Sequence, residues 1–149
     1  MATTSNALTN WFEEYVLRHF FGITALNDYT SSQISIRLHS ADPGEDGTSS
    51  ELDNTNEPGY APQYIDKADF TVQDDGNGGF EAVNNNTIEW TATGAWINAP
   101  THFSAYCEGN LQPLFVGAID DGAGNLLTAL SASGKKLQIT ANSLKLRLS

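Results

Sequence analysis

The sequence predicts a mainly β protein: an antiparallel, jelly-roll-like β-sandwich preceded by one amphipathic helix. Three observations predict it. Short segments alternate apolar and polar residues. Clusters of Gly, Asn and Asp separate those segments. Only one stretch, near the N-terminus, carries a helical apolar stripe. Asn, Thr, Ser and Gly are abundant and Lys and Glu few, a composition suited to strands and turns. The 149 residues suffice for one domain with a real core. We divide it into a helical segment, residues 1–22, and a sandwich, residues 23–149.

The helix is read over about residues 7–21. Leu8, Trp11, Phe12, Tyr15, Val16 and Phe20 recur at helical spacing and form one stripe. Asn10 and Glu13 are placed as a capping pair, and Gly22 as the stop. Glu13 and Glu14 near the start and Arg18 near the end suit the helix dipole. The two inner faces of a sandwich already cover each other, so this aromatic stripe needs a further partner. Either it caps an open end of its own sandwich or it packs on another chain.

The strands follow in order. QISIRLH alternates with Ile34, Ile36 and Leu38 on one face. GYAPQYID is interrupted by Pro62, which marks an edge or a bulge. ADFTVQ and GFEAV are joined by the turn DDGNGG. TIEWTAT, THFSAYCE and QPLFVGAI follow, and then LLTALS, KKLQITA and SLKLRLS. Ile88, Trp90 and Ala92 share a face, as do Phe103, Ala105 and Cys107, which marks these residues as core.

The charge and the motifs exclude several functions. Eighteen acids against seven bases give −11, which repels phosphate backbones, so no nucleic-acid partner is expected. No apolar run reaches membrane-span length, and no membrane insertion is expected. The opening MATTSNALTN lacks the pattern of a signal peptide, and the single Cys107 allows no internal disulfide. Both facts point to a protein made and assembled in a cytoplasm.

Asp42-Pro43-Gly44-Glu45-Asp46-Gly47 partly fits a calcium loop. Asp42, Asp46, Gly47 and Asp53 fall at the first, fifth, sixth and twelfth positions of the EF-hand pattern, but Gly44 stands where an oxygen ligand is needed, Asp53 stands where Glu is required, and no flanking helices are predicted. A solvated turn with no metal is the reading adopted. His19, His39 and His102 lie in no catalytic motif, and there is no nucleophile elbow, phosphate loop or zinc pair. No enzyme and no cofactor are therefore expected. Trp96 either covers a loop or serves as an aromatic platform for a sugar ring, which makes it the one candidate ligand contact.

Read in order, ALTNWFEEYVLRHFFG, ISIRLHSADPGEDG and GYA resemble short virion proteins of tailed phages, labelled tail fibre or capsid decoration proteins. IEWTATGAW, THFSAYC and GNLLTAL are similar to later segments of the same family. The resemblance runs from about residue 7 to the C-terminus, with a longer acidic stretch at residues 48–59 as a departure. It implies a non-enzymatic module on the particle exterior, assembled in the host cytoplasm. It implies partners in other virion proteins and in copies of the chain, a trimer being preferred, with a host surface glycan as a further candidate. The alternative reading is a carbohydrate- or calcium-binding adhesin module that uses Trp96 and the acidic loops.

Overall fold

The computed structural model describes residues 3–22 and 30–147. They form a mainly β fold of antiparallel sheets with one α-helix among them. The strands are β1 (Thr3–Leu8), β2 (Gln33–His39), β3 (Gln63–Asp66), β4 (Phe70–Asp74) and β5 (Phe80–Asn84). They continue with β6 (Ile88–Thr91), β7 (His102–Cys107), β8 (Phe115–Asp120), β9 (Lys136–Ile139) and β10 (Lys145–Arg147). The helix α1 spans Asn10–Phe20. The largest sheet has the order β1-β8-β7-β2-β3. The others are a three-stranded sheet, β10-β5-β4, and a pair, β6-β9.

The alternation read in the sequence positions the core. Register pairs Ile36 with Ala105 and Leu38 with Phe103, so their side chains share a face. Ile36, Leu38, Phe103, Ala105 and Cys107 are wholly buried there. Ile88, Trp90 and Ala92 meet them from the β6 side, and Leu144 and Leu146 from around β10. Burying each large apolar side chain stabilises the fold by about 1.5–3 kcal/mol before ordering costs.

Two elements differ from the sequence reading. The first is the start of the chain. Residues 3–8 form a strand paired with β8, so Leu8 lies at the end of β1 and not on the helix. The helix begins at Asn10, and Thr9, not Asn10, is its cap. TTSNAL has no alternating apolar pattern to announce a strand. Its place is set by the long-range ladder to β8. The second is LLTALS, which forms no strand. Its Leu130 carbonyl accepts from the Trp96 amide at 2.8 Å, and Leu127 and Leu130 pack on the core, so burial alone explains their apolar character.

β5 runs into β6, and β9 into β10. The pairs β6:β9 and β5:β10 therefore form one long ribbon with a break in the middle. Asn84 bridges that break. Its Nδ2 donates to the carbonyls of Asn86 (2.7 Å) and Thr140 (3.0 Å), and its Oδ1 accepts from the Leu144 amide (2.9 Å). The side chain is fully buried, so these backbone groups have no water to turn to. Asn84→Leu keeps the volume and removes all three bonds. It should lower stability by roughly 2–4 kcal/mol, seen as a lower urea midpoint with an unchanged slope.

Candidate docking surface

Three features position α1. The Thr9 hydroxyl accepts from the Phe12 amide (3.2 Å) and donates to the Pro113 carbonyl (2.8 Å), while the Thr9 amide bonds the Leu114 carbonyl (3.2 Å). One residue thus caps the helix and ties it to the segment before β8. The Asn10 amide donates to Glu45 Oε2 at 2.8 Å, placing a carboxylate at the positive end of the helix. Phe12 then packs on Phe115 with ring centroids 5.9 Å apart, and Tyr15 is buried beside it.

The stripe read in the sequence is therefore divided. Phe12 and Tyr15 face the protein's own fold, and Trp11 stacks on Tyr15 at 5.8 Å. Val16 and Phe20 turn outward, at 40% and 80% exposure. Leu17 (58%) and Phe21 (70%) stand with them. Both lie off that stripe, on a second side of the helical segment. A helix apolar on two sides carries the signal for a second partner. Another apolar region is a groove of about 190 Å³ lined by Ile34, Lys67, Phe70, Ala82, Phe115 and Leu146. Val72 and Phe80 are exposed on the same face of their sheet as Ala82.

The loop after β2 is a strap over the outer face of the large sheet. His39 is fully buried beneath it. Its Nδ1 donates to the Ser49 carbonyl (2.8 Å), which fixes the tautomer, and its Nε2 accepts from the Ser104 hydroxyl (2.7 Å). The Tyr106 hydroxyl donates to the Gly47 carbonyl at 2.9 Å. The Arg37 guanidinium lies 4.2 Å from the Tyr106 ring centroid and reaches Glu51 at 3.4 Å. Ser104 and His39 touch, but both are buried and the outer nitrogen of the imidazole faces a carbonyl, not a carboxylate. The pair locks the strap and lacks the access that a nucleophile needs.

Burial lowers the His39 pKa. The Ser49 carbonyl and Glu51 oppose that shift, while Arg37 and His102 add to it. The folded state therefore binds a proton less readily than the unfolded chain, whose value is 6.5. The stability from neutral His39 is whole above that value and is lost as pH falls below it. Wild-type stability should drop as pH falls below 6.5, ahead of the carboxylates. His39→Gln should be less stable at pH 8 and flat across that window, checked by urea midpoints at each pH.

The other candidates are resolved by their contacts. Trp96 is buried, at 5% exposure. Its Nε1 donates to the Pro58 carbonyl (3.2 Å) and its ring stands edge-on to Tyr60. It is a packing residue and presents no face for a sugar, which corrects the platform reading. Asp42 and Asp46 accept from the amides of Gly44 and Thr48, as turn-forming carboxylates do. Among the described residues, no group of three or more His, Cys, Asp or Glu side chains could hold a metal ion. Calorimetric titration with calcium should show no isotherm in the sub-millimolar range. No described helix is long and apolar enough to cross a membrane.

A search of curated proteins finds no match to the chain. The family model described as podophage GP4 fiber I protein gp80 matches residues 7–147, from the end of β1 through β10. The chain therefore belongs to the family of podophage GP4 fiber I protein gp80, a family of tailed-phage virion fibre proteins.

Proposed function

We propose that the chain is a tail fibre component on the exterior of a podophage particle, without enzymatic activity. In this reading, the outward face of α1 joins copies of the chain, three being preferred, or docks them on a neighbouring virion protein. Assembly takes place in the host cytoplasm before release. The carrying observation is the outward face itself: Val16, Leu17 and Phe20 stand exposed on a helix already anchored by its other side, with Phe21 exposed at its C-terminal cap. Covering four such side chains is worth on the order of 5–10 kcal/mol before association costs, enough to hold a specific contact. The family favours a fibre over a capsid decoration protein. The adhesin alternative loses its aromatic platform with Trp96 buried, and the carboxylates of Asp42 and Asp46 are engaged by the amides of their own turns.

The triple variant Leu17→Ser/Phe20→Ser/Phe21→Ser tests the reading, because these side chains are exposed and none of them packs on the core formed by the described residues. Circular dichroism should be unchanged. Light scattering should show the wild type at a multiple of 16.1 kDa and the variant at the single-chain mass. If the wild type remains a single chain and the variant still enters particles, the helix face has no role in assembly.

A further inference from the structure

Among the described residues, each of the three sheets ends in edge strands, and two of these edges combine exposure with an adjoining groove. β9 is bonded only to β6, and β4 only to β5. Along β9 runs a groove of about 430 Å³. Lys136, Leu137, Gln138 and Thr140 form one wall, and Leu127, Thr128 and Leu130 of the neighbouring coil form the other. The coil has a strand-like sequence but leaves the groove open. At β4, the residues Thr71, Val72, Gln73 and Asp74 are all exposed, Val72 at 71%. Sheet edges are normally guarded by lysine, proline or a covering element. Phe70–Asp74 holds neither lysine nor proline.

We propose that β4 of one copy adds to β9 of another, entering the groove as an antiparallel strand. The two strands are of similar length, at five and four residues. One register satisfies every pairing. With Val72 opposite Leu137, Val72 enters the apolar groove beside Leu127 and Leu130. Thr71 then faces Gln138, Gln73 faces Lys136, and Asp74 faces Lys135. Lys135 makes no ion pair with any described residue, and Asp74, whose Oδ1 accepts from the Gly76 amide at 2.6 Å, can meet it through Oδ2. Shifting by one residue turns Val72 out to solvent. The parallel alternative that keeps Val72 on Leu137 sets Asp74 against the buried Ile139, which strands a carboxylate. A chain with a net charge of −11 needs such a pairing of acid with base to approach its own copy.

The two edges are different surfaces, so the contact is heterologous and can close into a ring. It rests on the proposed assembly into copies and is separate from the helix face. In the full-length protein, Thr71→Cys/Gln138→Cys should form a covalent ladder of copies on oxidation. The native Cys107 is buried and contributes no background. Thr71→Cys/Asp42→Cys should form none. Val72→Lys should leave circular dichroism unchanged and weaken association at least roughly tenfold, and Asp74→Lys should do the same and be rescued by Lys135→Asp. A wild type that forms copies while the first pair fails to cross-link and Val72→Lys has no effect would refute the edge contact and leave assembly standing. A wild type that stays a single chain at all concentrations removes both.

Discussion

A buried imidazole sets the position of much that surrounds it. His39 ends β2 on the face turned away from the core, and that face can be buried only if something polar covers it. The strap does so, with the Ser49 carbonyl and the Ser104 hydroxyl satisfying both ring nitrogens. Once the strap is pinned, Gly47 lies on the Tyr106 hydroxyl, at φ +67°, where a side chain would also collide with Pro113. Glu45 is carried to the first turn of α1. The helix is therefore held at its N-terminus by both Thr9 and the strap, and its far end projects outward. The exposure of Phe20 and Phe21 follows from this anchoring at one end.

The acidic loop of residues 42–47 thus has a structural role that its composition does not announce. Its Asp side chains make the turn, and its Glu side chain reaches the helix. The sequence showed the turn because Asp, Pro and Gly act locally. It did not show the contact to Asn10, because that depends on a strap folding back across a sheet.

The same division explains what was legible elsewhere. QISIRLH, TIEWTAT and THFSAYCE alternate because one face of each strand is core, and their register follows from that. The helix was legible as a helix, with its inner stripe of Phe12 and Tyr15. β1 was not, because TTSNAL carries no apolar alternation and is held by pairing with β8. LLTALS looked like a strand because its leucines are needed by the core. Apolar residues in a coil are hard to distinguish from those in a strand when the run is short. Trp96 was unresolved for a similar reason: a tryptophan between small residues fits a platform and a packed loop equally well, and only the Pro58 carbonyl decides. The outward pair Leu17 and Phe21 was available in the sequence but fell on a second face, which a count along one stripe passes over.

The chain's acidity divides into two groups with different consequences. Asp53, Asp75 and Asp121 accept hydrogen bonds within their own turns, and these bonds hold their carboxyls below the usual range, led by Asn56, Asn77 and Asn125. Their charge is a by-product of making turns. Glu51, Glu81 and Glu89 instead take up Arg37, Lys145 with Arg147, and Lys136. With most bases used inside the fold, the outer surface is left strongly negative. At physiological salt the repulsion between like-charged copies is largely screened beyond about 8 Å and grows as they come closer, so apolar burial has to outweigh it at contact. Under the proposed assembly, the net charge keeps free chains apart. Apolar area on the helix then supplies the attraction, and the few unspent charges select the direction of approach.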